Sequence, residues 1–202
     1  MIKKNIDVSV LCANYNNAPY LNDFFESLLS STVLPDEIIL IVKKVLEEFN
    51  LLHKIKLRLI TNGSLMHQSP VIKSVEMLKE INGEVWFKVD AVTEESIQII
   101  NQVNLKRHQI LERLKNCATA CPTFVQTCIF SIDDKNPSEK DIDAYVQLMS
   151  EIKSDIQGVH IYGLARPSLQ PQAKRLGRIS KEVLEGIAKK LRYLQIETTV
   201  SF

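Results

Sequence analysis

Short β-prone runs alternate with amphipathic helical stretches along almost the whole chain, and this alternation constrains the fold more than any other feature. Residues 7–13 (DVSVLCA) read as a strand. Residues 21–30 follow as a helix, with Leu21, Phe24, Phe25, Leu28 and Leu29 at helical spacing. Further strands are predicted over 56–60, 84–89, 123–130 and 158–163. Helices are predicted over 70–81, 106–118, 138–152 and 180–191, and a short strand over 196–201 ends the series. Ser138 is placed to cap its helix, with acidic residues filling the first turn. Residues 35–54 (PDEIILIVKKVLEEFNLLHK) admit two readings. Either a strand runs directly into a helix, or the whole stretch is one helix with Ile38, Val42, Val45, Phe49 and Leu52 on one face. The β-prone Ile-Ile-Leu-Ile-Val run favours the first.

Repeated βα units imply parallel strands with crossover helices, in a doubly wound sheet or in a full or partial barrel. Both arrangements gather ligands at the C-terminal ends of their strands. A chain of 202 residues, 45% of them hydrophobic, can bury a core as one α/β domain over 1–202. With 25 basic residues against 24 acidic ones, the chain carries no footprint for nucleic acid or an anionic membrane. No stretch approaches the ~20 apolar residues of a membrane helix. The first residues, MIKKNIDVSVLCA, suit a strand better than a signal peptide. Cys12, Cys117, Cys121 and Cys128 are too few and too irregular for a disulfide framework, and a reducing cytoplasm suits them.

Two family resemblances sit on this pattern. VSVLCANYNNAPYLNDFFESLLSSTVLPDEIILI, within residues 7–41, resembles the start of family 2 glycosyltransferases, where it would imply a nucleotide-sugar site. That family continues with an Asp-Asp-Gly-Ser-like turn, whereas here Ile41 is followed by Val42-Lys43-Lys44. Its later Asp-x-Asp metal motif falls on Asp90-Ala91-Val92, which lacks the second carboxylate. From Val42 onward the chain is similar to radical SAM enzymes, most specifically in ITNGSL, VWFKVDA and YGLARPS. This resemblance implies a partial α/β (TIM-like) barrel that binds S-adenosylmethionine over a four-iron, four-sulfur cluster. The family holds the cluster with Cys-x-x-x-Cys-x-x-Cys after the first strand and the methionine amine with a Gly-Gly-Glu-Pro-like turn after the second. Neither motif is present. Cys12 stands alone in the right region, and Cys117-x-x-x-Cys121 lacks a third cysteine and falls at a predicted helix end. A site-differentiated cluster needs three thiolates.

Five residues at or near predicted strand C-termini form the candidate cofactor site: Thr61, Asn62, Asp90, Gln126 and Arg166. Together they would offer a zwitterion such as S-adenosylmethionine a carboxylate, two amides and a guanidinium. Each has a structural alternative. Thr61-Asn62-Gly63 can be a strand-to-helix turn, and Asp90 can belong to the helix entrance that Thr93-Glu94-Glu95 resembles. Gln126 can be a satisfied core amide, and Arg166 a loop arginine paired with an acid. His160 and Tyr162 share one strand face. The histidines lack zinc-site spacing, so no metal site is expected. The sequence thus points to a radical SAM-like barrel without its cluster cysteines, either inactive or binding a small molecule at the strand C-termini. A truncated glycosyltransferase-like protein acting on a nucleotide-sugar is the alternative, and a recombined product with no selected activity is a third.

Overall fold

The computed structural model describes residues 43–44, 46–164 and 171–202. The predicted strand at 7–13, the helix at 21–30 and the β-prone half of 35–54 lie outside them. Residues 43–44 and 46–48 are helical, as either reading of that segment requires.

The described chain runs β1 (Leu57–Thr61), α1 (Ser69–Glu80), β2 (Gly83–Lys88), α2 (Arg107–Ala120), β3 (Thr123–Ile129), β4 (Ser131–Ile132), α3 (Glu139–Ile152), β5 (Gly158–Gly163), β6 (Leu176–Gly177), α4 (Lys181–Tyr193) and β7 (Thr198–Ser201). Five strands form one sheet in the order β1-β2-β3-β5-β7, and every neighbouring pair is parallel. β4 and β6 make a separate two-residue antiparallel pair. Sheet order follows chain order, so each crossover steps one strand in the same direction. With uniform crossover handedness, every helix then returns to the same face. A doubly wound sheet would reverse its order partway and carry helices on both faces. This sheet is instead the wall of a partial α/β barrel, with one face under helices and the other turned inward.

Side-chain alternation separates the two faces. In β3 the residues alternate strictly, with Thr123, Val125, Thr127 and Ile129 buried and the residues between them half-buried. Val85, Phe87, Val125, Val159 and Ile161 share a core with Leu78 of α1, Leu114 of α2, Leu148 of α3 and Leu184 of α4. Each fully buried leucine there contributes about 2 kcal/mol or more of transfer free energy. Gly83 lets α1 approach closely, because a Cβ there would lie 2.3 Å from Leu78 Cγ.

Helix starts follow local chemistry. The Ser138 hydroxyl accepts from Asp141 N, as predicted, and Ser180 accepts from Val183 N. Each satisfies an amide with no partner inside its helix. Thr93 likewise accepts from Ser96 N and opens a short turn, Glu94–Ser96, that runs into a π-helical turn, Ile97–Asn101. No sequence periodicity announces that π turn.

Candidate functional site

The inward face is built by half-buried positions of β2, β3 and β5 and exposed positions of β7, set in register. Lys88 pairs with Gln126, Gln126 with His160, and His160 with Thr199. One step toward the strand C-termini, Cys128 pairs with Tyr162, and Tyr162 with Ser201. One step the other way, Trp86 pairs with Phe124. Paired residues of parallel strands point to the same side, so these side chains share a surface.

At its upper edge, Lys88 Nζ donates to the Tyr162 hydroxyl at 2.9 Å and meets Asp90 Oδ2 at 3.0 Å. Asp90 Oδ1 accepts from the backbone N–H of Cys128 at 2.9 Å, so this carboxylate also ties the end of β2 to β3. The Asp90 side chain is only 14% exposed. Burial opposes the charge on Lys88, but the Asp90 carboxylate and the Tyr162 hydroxyl hold its pKa above the ordinary lysine value. Tyr162 is raised, chiefly by burial, and therefore stays a neutral phenol. Burial and the neighbouring Asp90 push the Cys128 thiol up to about 11, so it is no ready nucleophile.

Lower on the face, the Glu84 carboxylate receives Arg58 Nε at 2.7 Å and Trp86 Nε1 at 3.0 Å. Burial works to raise its pKa, but these donors and the nearby Lys56 leave it below the usual carboxylate value. His160 lies 4.5 Å from Trp86 and 4.9 Å from Phe124 between ring centroids, and its Nδ1 is hydrogen-bonded to Thr199 Oγ1. Burial lowers its pKa, which favours a neutral imidazole.

Two clefts adjoin these groups. One, about 270 Å³, opens on the inward face between Trp86, Gln126, His160, Tyr162 and Ser201. The other, about 370 Å³ and mostly apolar, lies at the C-terminal ends of β2 and β3, with Asp90, Cys128, Ile129 and Tyr145 among its walls. At its floor the Tyr145 hydroxyl is hydrogen-bonded to Thr127 Oγ1 at 2.7 Å.

The five residues chosen from sequence fare differently. Asp90 and Gln126 are brought close together, because Gln126 pairs with Lys88 and Lys88 binds Asp90. Gln126 is not a satisfied core amide: among the described residues its side chain has no hydrogen-bond partner, and it faces the inward cleft. Thr61 pairs with Phe87 and so lies on the helix-covered side. Its hydroxyl accepts from Gly63 N, and the Asn62 side chain accepts from Ser64 N. These bonds build the turn itself. Gly63 sits at φ +63°, and a Cβ there would lie 2.1 Å from the Phe87 ring. Arg166 lies outside the described residues. Sequence reading missed Lys88, although the alternation of Glu84, Trp86 and Lys88 in GEVWFK placed it on the face of Trp86.

The three described cysteines do not come together. Cys117 Sγ lies against Thr123 Oγ1 and Cys121 Sγ donates to Gly83 O, at the first residues of β3 and β2. Burial pushes these thiols up to about 11 and about 12. Cys128 lies five residues further along β3, about 16 Å away at strand rise. Among the described residues, no group of three metal-binding side chains is gathered in one place.

The sequence matches no protein-family model, and no curated protein matches it. The fold, however, is similar to those of several solved structures. A domain of pyruvate-formate lyase-activating enzyme from Bacteroides vulgatus ATCC 8482 superposes with TM-score 0.60 and 13% identity, over 97% of this chain and 99% of that one. A radical SAM methyltransferase from Sphaerobacter thermophilus superposes with TM-score 0.52 and 15% identity, over 74% of this chain and 40% of that one. SuiB from Streptococcus suis, solved with S-adenosylmethionine bound, gives TM-score 0.51 and 12% identity, over 75% of this chain and 35% of that one. The chain thus shares its fold with these structures, and it spans 40% and 35% of the latter two proteins. None of the three is a glycosyltransferase, and the segment 7–41 that resembles that family lies outside the described residues. Among the described residues, no helix is long and apolar enough to cross a membrane.

Proposed function

We propose that this chain is a radical SAM-type partial barrel that binds a small molecule on the inward face of its sheet and builds no iron–sulfur cluster. The observation that carries the reading is the Lys88–Asp90–Tyr162 group standing beside the amide of Gln126, which has no partner among the described residues. Three strands place these polar groups on the face away from the described crossover helices, toward the C-terminal ends where such folds collect ligands. The position of Cys117 and Cys121 at the opposite end of the sheet supports the second half of the reading. S-adenosylmethionine is the first ligand to test, because SuiB has been solved with it bound. Asp90 and Gln126 would meet its charged and polar groups; Thr61, Asn62 and Arg166 join the candidate set from the sequence alone. With no iron to chelate the amine and carboxylate, affinity should be weak.

Anaerobic reconstitution followed by iron and sulfide analysis tests the cluster half. Substoichiometric iron, unchanged in Cys12→Ala, is expected. A full four-iron complement lost in Cys12→Ala would overturn it. Ligand-induced thermal shifts test the binding half, and Asp90→Ala should abolish any shift produced by S-adenosylmethionine.

A further inference from the structure

The inward cleft has an unusual balance of chemistry. Its walls are mainly aromatic or hydroxyl-bearing, and the two charged side chains of the sheet face beside it, Lys88 and Glu84, are already paired. Lys88 is held by Asp90 and Tyr162, and Glu84 by Arg58. His160 is hydrogen-bonded to Thr199, and burial disfavours its charged form. A charged ligand group brought against Lys88 or Glu84 would lose hydration while both stay engaged with their own partners, which is costly. Gln126 is different. It sits on the middle strand of the sheet, and its amide keeps both a free donor and a free acceptor among the described residues. On a rigid strand, those two groups suit a ligand edge that presents an acceptor beside a donor. Trp86, His160, Tyr162 and Phe202 line the cleft around it, with Trp86 and His160 already in ring contact, and a flat aromatic ligand would extend this cluster.

We infer that the inward cleft, about 270 Å³, takes an uncharged planar heteroaromatic ring bearing a lactam or amide edge, the chemistry of a pyrimidine base, with Gln126 pairing to that edge. This inference rests on the reading of the inward face as the ligand site; it assigns the cleft at Gln126 to an uncharged ring, and leaves charged groups of a ligand to the Lys88–Asp90 edge.

Trp86 is the chain's one tryptophan, so its fluorescence reports on this cleft directly. The full chain would be titrated with uracil, with dihydrouracil (the same lactam on a puckered ring) and with orotate (the same ring carrying a carboxylate). Saturable quenching by uracil is expected, with dihydrouracil several-fold weaker and orotate at least about tenfold weaker. Gln126→Leu, checked for an unchanged circular dichroism spectrum, should weaken uracil about tenfold or more, the loss of one bidentate pair. Gln126→Glu keeps the side-chain length but gives up the amide donor, and should lose binding similarly if Gln126→Leu fails to fold. Orotate binding as tightly as uracil would overturn the uncharged-ring inference and leave inward-face binding standing. No saturable change with uracil, or binding that both Gln126 variants retain, would overturn it outright. Cluster formation, which would sink the broader proposal, is read separately by iron analysis.

Discussion

The two faces of the sheet are made from the same strands, yet they obey opposite rules. On the outer face, Val85, Phe87, Val125, Val159 and Ile161 meet four helices and exclude water. The polar atoms that remain there, such as the hydroxyls of Thr127 and Tyr145, satisfy each other. On the inward face the side chains are polar or aromatic and half-buried, and one amide is left without a partner among the described residues. The outer face earns the stability that lets the inward face stay underpacked and polar. A substitution should therefore act on stability from one side and on binding from the other.

The sharpest way to break this division is Leu148→Ala. Leu148 is 0% exposed in α3, and its loss leaves a cavity. A destabilisation of about 3 kcal/mol is expected, read as a shifted urea midpoint with an unchanged slope. A cost below about 1 kcal/mol would mean that the outer layer is not close-packed.

A matched pair sharpens the comparison, because the same change can be made on each face. Tyr145→Phe strands the buried Thr127 hydroxyl and should cost about 1–1.5 kcal/mol, with no effect on a ligand of the inward cleft. Tyr162→Phe removes one of two partners from a lysine that keeps Asp90, so it should cost less than about 1 kcal/mol while weakening inward-face binding. Equal stability losses, or binding lost in Tyr145→Phe, would erase the distinction.

The smallest expected effect is a pH dependence. The folded pKa of Glu84 lies below its ordinary value of 4.5. Its ionised form is therefore favoured by folding, so its contribution is complete above about 4.5 and is lost as pH falls through the lower folded value. Urea midpoints should fall less steeply below that pH in Glu84→Gln than in the parent, by less than about 1 kcal/mol. Identical slopes would show that the inward-face ion pair contributes nothing to stability.

Much of the fold was legible because the signals were short-range. Ser138 marked a helix start through a bond only three residues long, and the strict alternation at 123–129 separated two faces without reference to any neighbour. The strand at 158–163 was bounded by Gly158 and Gly163, and its observed limits agree. The site was only partly legible. Asp90 and Gln126 came from their places near strand ends, and that rule also selected Thr61 and Asn62, whose side chains are engaged in their own turn. From sequence, a turn-building Asn and a ligand-facing Asn look alike; they differ in which way the strand before them faces.

What the sequence determined by itself was the succession of βα units and the apolar and polar side of each strand. Only the tertiary structure decided that sheet order follows chain order, and hence that one face carries the described crossover helices. Only it joined Lys88 to Tyr162, 74 residues apart in the chain and on either side of β3 in the sheet. The physical reason is range. Alternation and capping are settled within one or two turns of backbone, whereas a register across three strands is settled by the packing of the helices between them, and no local pattern encodes it.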